Sequence, residues 1–143
     1  MYPMNEELWG IYAKNNSGLC LQFDITKDKT FFHNVLPIHY VPEIFEREYN
    51  SISKPNHIID LFYKKTKAWS YEKELRLLKD QIGRMPFKRE ALQSIIIGDQ
   101  AENDFLEQII ETVKQHYPSV KVFQTIPPVK ITDFKCKLIY GKI

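Results

Sequence analysis

The spacing of apolar and polar residues predicts a helix and then a strand at the start of the chain. Asn5 is a good N-cap, and Leu8 and Tyr12 fall on one face at helical spacing. Gly18 follows a polar run and is suited to the left-handed conformation that ends many helices. The short apolar segment 19–23 then predicts a buried strand.

The middle of the chain gives weaker patterns. Residues 34–41 alternate and predict a second strand, placed at a sheet edge or made irregular by its two prolines. A short helix is predicted over 42–49, and a longer one from Asn56 to about Lys67. Residues 69–79 fit either helical spacing or strict alternation, and we favour a strand beginning near Glu72.

The last third carries the plainest signals. A β-branched run over 91–98 predicts a strand, and a helix with a marked apolar face follows it. That helix opens at Asp99 or Asn103 and ends before Pro118, with Asp99 and Glu102 as caps. Two more strands are predicted, over 120–125 and 131–139. Strands and helices interleave without a strict βαβ rhythm, so we expect an α+β fold with a mixed or mainly antiparallel central sheet, flanking helices and a single domain over residues 1–143.

Composition and charge narrow the function classes. The chain has 143 residues, of which 43% are hydrophobic, enough for a core without disulfide staples. Its 20 Lys and Arg against 18 Asp and Glu leave a formal charge of +2. The densest basic runs, 63–67 and 87–89, are short and typical of solvated faces, so nucleic acid is not the expected partner. No membrane-spanning stretch and no signal peptide are recognisable, and we expect a cytoplasmic protein.

Cysteines and histidines offer little chemistry. Cys20 lies between two leucines, where a thiol usually packs as a small apolar group. Cys136 lies between two lysines, which would favour its thiolate. The four histidines have no spacing typical of a metal site, so no metal is predicted.

Three segments carry a family resemblance: residues 8–24, with Trp9 and Tyr12; residues 67–76, which read Lys-Ala-Trp-Ser-Tyr-Glu-Lys-Glu-Leu-Arg; and residues 94–98 with the helix after them. Together they resemble a bacterial family catalogued as domain of unknown function 2971. Ile11 stands where members often carry His, and members usually have a further N-terminal portion. The resemblance therefore implies either a short version or the C-terminal part of a longer architecture, and it implies no activity.

Glu72, Glu74 and Arg76 are the leading candidate site residues. On a strand they share one face, because side chains repeat every second residue. Two carboxylates and a guanidinium could orient a sugar hydroxyl or stabilise an oxocarbenium-like charge, and Glu-x-Glu on a strand is what ADP-ribosylating toxins present to the ribose of NAD. The alternative is an exposed strand face with ordinary ion pairs, or an i,i+4 pair if the segment is helical.

Four aromatic residues complete the candidate site. Trp9 and Tyr12 lie at i, i+3 on the first helix, and Trp69 and Tyr71 adjoin the charged triplet. Such rings could stack on a flat ligand, although a pair like Trp9 and Tyr12 is more often part of a core.

The sequence thus leaves several functions open. One is a domain that binds a small nucleotide-like ligand, with NAD as the candidate cofactor, and acts on a ribosyl bond. Glu74 and Glu72 are then catalytic, Arg76 holds a phosphate, and Tyr12 or Trp9 stacks on the base, with Trp69 and Tyr71 as further ligand-binding residues. The other is a non-catalytic protein-interaction or phage-defence accessory module. A homodimer would restore a missing half if the chain is a fragment.

Overall fold

The computed structural model describes residues 5–44, 61–127 and 135–142. The chain divides into two compact units, a small unit over residues 32–84 and a sheet unit over residues 2–31 and 85–143. Two α-helices are described in full, α1 (Glu6–Tyr12) and α2 (Asn103–His116), together with three short 3-10 helices over Ile25–Lys27, Lys67–Glu72 and Arg89–Ala91. The described strands are β1 (Leu19–Phe23), β2 (Val35–Pro37), β3 (His39–Val41), β4 (Lys64–Thr66), β5 (Leu75–Leu77), β6 (Leu92–Ile97), β7 (Lys121–Ile126) and β8 (Lys135–Tyr140).

The sheet unit is built on four strands in the order β1-β6-β7-β8. β6 pairs antiparallel with β1 and parallel with β7, while β8 runs antiparallel to β7. The parallel pair is connected through α2, as a crossover requires. The mixed sheet and the α+β class are therefore as predicted.

Each face of this sheet packs against one helix. On one face, Val113 of α2 packs in a cluster with Ile97 and Val122 of the two central strands. On the other, Trp9 and Ala13 at α1 pack against Ile96. Successive residues of the second half of β6 thus serve opposite cores, which explains why residues 95–97 are all isoleucine instead of alternating with polar residues.

Helix α1 begins as predicted and ends differently. The Asn5 side chain accepts hydrogen bonds from the backbone N–H groups of Glu7 and Leu8, at 3.1 and 3.3 Å. The helix ends at Tyr12, and the left-handed conformation falls on residues 14–16 rather than on Gly18. Gly18 instead donates its N–H to the Ala13 carbonyl, 2.8 Å away, which closes the turn before β1.

The small unit contains two short two-stranded sheets. β2 pairs antiparallel with β5, and β3 pairs parallel with β4. The strand predicted over 34–41 is therefore two strands, divided at the buried Ile38, whose N–H donates to the Glu74 carbonyl at 3.0 Å. The helix predicted to reach Lys67 stops earlier, because residues 64–66 form β4.

The other predicted elements either are confirmed or lie outside the described residues. The strands over 19–23 and 91–98 and the helix before Pro118 are confirmed, and the strand predicted over 120–125 is β7. The predictions over residues 45–50, 51–60 and 131–134 lie outside the described residues.

Candidate functional site

The segment before β5 is not the strand that we favoured. Residues 67–72 form a 3-10 helix, and Lys73 closes it in the left-handed conformation, at φ 46°. The strand begins only at Leu75. Glu72 and Glu74 are therefore not successive positions on one strand face, because Glu72 belongs to the 3-10 helix and Lys73 between them is left-handed.

Lys65 of β4 nevertheless brings the two carboxylates together. Its ammonium pairs with Oε2 of Glu72 and with Oε2 of Glu74, the latter at 2.9 Å. The Glu72 side chain is 2% exposed, whereas the side chains of Glu74 and Lys65 are 16% and 21% exposed. Glu74 is thus the carboxylate that a ligand could reach, and Glu72 is the buried carboxylate that holds Lys65.

Arg76 is held in place by its own neighbours. Its Nε lies 2.6 Å from Oε1 of Glu74 and its Nη2 lies 2.9 Å from Oε2, the two-pronged geometry of strong guanidinium–carboxylate pairs. Nη1 donates to the backbone carbonyl of Phe62. The backbone N–H of Glu74 in turn donates to the Tyr40 hydroxyl at 2.9 Å, so the glutamate is fixed through both main chain and side chain.

These contacts keep both members of the central pair charged. Partial burial disfavours the ionised carboxylate of Glu74, but hydrogen bonds from Arg76 and Lys65 outweigh it and lower the pKa of Glu74. Partial burial likewise disfavours the ammonium of Lys65, but its bonds to Glu72 and Glu74 raise the pKa of Lys65. The site therefore presents an ionised carboxylate at neutral pH.

Two aromatic side chains lie beside the charged cluster. The Lys65 ammonium is 5.6 Å from the centroid of the Trp69 ring, within cation–π range. The rings of Trp69 and Tyr71 are 6.1 Å apart and tilted by 36°. Trp69 is 40% exposed, so part of its ring is open to a ligand. The structure thus brings together five of the seven predicted site residues: Trp69, Tyr71, Glu72, Glu74 and Arg76.

Trp9 and Tyr12 belong to the sheet unit and differ in their surroundings. Trp9 is 4% exposed and packs with Ala13 and Ile96 in the sheet core. Tyr12, one turn further on, is 63% exposed. Their role as ligand-binding residues stays a prediction, and the burial of Trp9 makes Tyr12 the member of the pair that a ligand could reach.

Sequence reasoning missed Lys65. It lies in the basic run 63–67, which we expected to form a solvated face, yet its side chain is mostly covered and paired with two carboxylates. No local pattern distinguishes it from the other lysines of that run, because its partners lie seven and nine residues further along the chain. Asp28 was missed in the same way: it is 4% exposed, and it accepts from the N–H groups of Phe31 and Lys88 at 3.0 and 2.7 Å.

Of the two predicted caps of α2, Glu102 is right in position only and Asp99 is wrong. Glu102 occupies the N-cap position, but its side chain makes no capping hydrogen bond. Asp99 bonds instead to Thr125 of β7, whose hydroxyl accepts from the Asp99 N–H at 2.8 Å and donates to its carboxylate at 3.0 Å. Asp99 therefore ties the end of β6 to β7 and not to the helix.

Burial makes both cysteines less reactive than an exposed thiol. Burial raises the pKa of Cys136, so the expected preference for its thiolate is wrong, and burial also raises the pKa of Cys20. Within residues 5–44, 61–127 and 135–142, no three His, Cys, Asp or Glu side chains are grouped so as to hold a metal ion. No helix in that same part of the chain is long and apolar enough to cross a membrane.

Comparison with known proteins supports the family resemblance and nothing finer. Residues 8–77 match the model of a family described as protein of unknown function (DUF2971). The match contains all seven candidate site residues and ends before β6. The searches among curated proteins and among solved structures found no match.

Proposed function

We propose that this chain, which carries the DUF2971 signature over residues 8–77, binds a small nucleotide-like ligand in its small unit and acts on the ligand's ribosyl bond. The observation that supports the proposal is the ionised carboxylate of Glu74, held by two cations beside the half-exposed ring of Trp69. An ionised carboxylate next to a stacking surface suits a reaction in which a sugar becomes positively charged.

The charge of the surrounding segment favours an anionic ligand overall. Residues 61–80 contain six Lys and Arg against three Asp and Glu. Lys67, Lys73 and Lys79 are exposed, so the approach to the site is basic although its centre is neutral. Such an arrangement raises the local concentration of a phosphate-bearing ligand without requiring a dedicated phosphate pocket.

In the proposed reaction, NAD places its nicotinamide ribose beside Glu74. The bond between C1′ and the nicotinamide nitrogen breaks, and nicotinamide leaves as a neutral molecule with the bonding electron pair. The carboxylate of Glu74 stabilises the positive charge left on the sugar. Water adds to C1′ and releases one proton, which gives ADP-ribose. Arg76 and Glu72 are positioning residues in this scheme, because one holds Glu74 and the other holds Lys65.

Nicotinamide release from NAD tests the reaction. Purified wild-type protein should release nicotinamide, measured by chromatography, and Glu74→Gln should reduce kcat by about 100-fold or more while changing KM little. Glu107→Gln is the matched control, because Glu107 is an exposed residue of α2. Equal rates in wild type and Glu74→Gln would contradict the catalytic part of the proposal.

A second function, protein–protein interaction without catalysis, is favoured by the exposed apolar side chains of the small unit. Leu36, Leu61, Phe62 and Leu75 are each about half exposed. Exposed apolar side chains in that number are typical of a protein that contacts a partner. Sedimentation of wild type against Phe62→Ser tests the homodimer: a dimer that becomes a monomer in the variant supports this reading, and a monomer in both excludes self-association through Phe62.

A further inference from the structure

Lys65 and Glu74 each keep one hydrogen-bonding position that no described residue occupies. An ammonium carries three donors, and those of Lys65 have two acceptors, one oxygen each of Glu72 and Glu74. A carboxylate offers about four acceptor positions. Those of Glu74 receive two bonds from Arg76 and one from Lys65, which leaves one position on Oε1. One donor of Lys65 and one acceptor position of Glu74 therefore remain, on two bonded side chains that are each partly exposed.

The charge of the cluster decides which ligand group fits that pair. Two cations and two carboxylates cancel, so the centre of the cluster is neutral. A phosphate beside Lys65 would be attracted by the ammonium and repelled to a similar extent by Glu74, which is bonded to the same ammonium. An uncharged group that both donates and accepts has no such conflict.

A pair of neighbouring hydroxyl groups meets this requirement. One hydroxyl can donate to Glu74 Oε1 while the next accepts from Lys65 Nζ, and hydrogen bonds to charged partners are the stronger class. The adjacent Trp69 ring, 5.6 Å from the ammonium, offers an apolar surface for the flat face of a base or sugar. A nucleoside presents both features on one molecule.

We propose that Lys65 and Glu74 recognise the vicinal hydroxyls of the ligand's ribose, with Lys65 as a specificity-determining residue, and that phosphate groups do not bind at this position. The proposal rests on the nucleotide-binding function above and names which part of the nucleotide meets the charged cluster. It also assigns Arg76 a different role from the phosphate contact expected from the sequence, since Arg76 is bonded to Glu74 and to the Phe62 carbonyl.

Calorimetric titration with two nucleosides tests the proposal. Adenosine should bind wild-type protein at least about tenfold more tightly than 2′,3′-dideoxyadenosine, because the latter lacks both hydroxyls. In Lys65→Met the ratio of the two affinities should fall towards one. Lys67→Met, an exposed neighbouring lysine, should keep the wild-type ratio. Inorganic pyrophosphate should not compete with adenosine.

The outcomes separate this proposal from the function on which it rests. Equal affinities for the two nucleosides, or competition by pyrophosphate, would overturn hydroxyl recognition and leave nucleotide binding standing. No binding of either nucleoside and none of NAD would overturn both. If Lys65→Met does not fold, the comparison of the two nucleosides on wild-type protein decides alone.

Discussion

Replacing Gly98 by alanine should destabilise the sheet unit more than any surface change. A Cβ at this position would lie 1.7 Å from the carbonyl oxygen of Asn16 and 2.4 Å from its carbonyl carbon. Real Cβ atoms essentially never approach another heavy atom within 3.0 Å, so the two backbone segments would have to separate by more than 1 Å. Gly98 follows β6, and Asn16 precedes β1, so the clash falls where these two strands are joined.

The loss in free energy of unfolding comes from the backbone hydrogen bonds that this separation would break. The Gly98 N–H donates to the Gly18 carbonyl at 2.9 Å, and the Gln100 N–H donates to the Asn16 carbonyl at 3.0 Å. Losing two such bonds costs about 1–3 kcal/mol, and forcing extra volume into a packed region costs about 1–3 kcal/mol more. We therefore expect the free energy of unfolding to fall by about 4 kcal/mol, a large share of the stability of an ordinary domain.

Urea unfolding followed by circular dichroism measures this effect. Gly10→Ala is the matched control, because a Cβ there meets nothing within 4 Å and the residue lies inside α1. Alanine in a helix interior should be neutral or stabilising by up to about 1 kcal/mol. If Gly98→Ala unfolds within about 0.5 kcal/mol of wild type, the close approach of the two segments is refuted.

Three further predictions concern the charged cluster and the thiols. Lys65→Met should lower the free energy of unfolding by about 2–4 kcal/mol, because it removes the ammonium from the buried Glu72. In a double-mutant cycle, adding Glu72→Gln should recover part of that loss, and strict additivity of the two changes would contradict the pairing. Because the folded-state pKa of Glu74 is lowered, its stabilising contribution is complete above the unfolded value of about 4.3 and is lost as pH falls through the folded value. We therefore expect the free energy of unfolding of the wild type to fall more steeply from about pH 6 to about pH 3, the range in which carboxylates titrate, than that of Glu74→Gln. Identical slopes would contradict the ion pairs. Cys20 and Cys136 should react with iodoacetamide at neutral pH more slowly than a free cysteine, since burial raises both pKa values, and alkylation at the rate of the free amino acid would contradict that burial.

The parts of the fold that the sequence predicted are those whose signals are local and strong. β6 ends in three consecutive isoleucines, and α2 has an apolar face along its length, so both can be located without knowing what packs against them. Asn5 was recognisable as a cap because the bonds of a cap lie within its own first turn. In these segments the local preference and the tertiary packing agree.

The segment around Glu72 shows why the rest could not be predicted. Its residues satisfy both a helical and an alternating pattern, and what decides the outcome is the left-handed Lys73 together with the pairing of β5 with β2. The role of Lys65 depends on partners seven and nine residues away that meet it only after the chain has turned. Long-range contacts of this kind leave no periodic trace in a single sequence.

The Asp99 prediction failed for a related reason. An acidic residue shortly before a helix is a good cap by position, but a buried hydroxyl on the neighbouring strand offered a closer partner. Thr125 is 2% exposed and needs a hydrogen-bond partner when it is buried. The buried Thr125 hydroxyl of β7 therefore took Asp99 as its hydrogen-bond partner, and α2 is left without the predicted cap.

The central claim is that the small unit binds a nucleotide-like ligand at Trp69, and thermal denaturation with NAD tests it most directly. Saturation at 100 times the dissociation constant adds about 2.7 kcal/mol, which should raise Tm by about 8 °C for a chain of this size. Trp69→Ala removes a half-exposed ring and should fold normally but lose the shift, whereas Gly10→Ala should retain it. A shift in wild type that disappears in Trp69→Ala is the predicted result. An unchanged Tm in wild type, or an equal shift in Trp69→Ala, would contradict the claim.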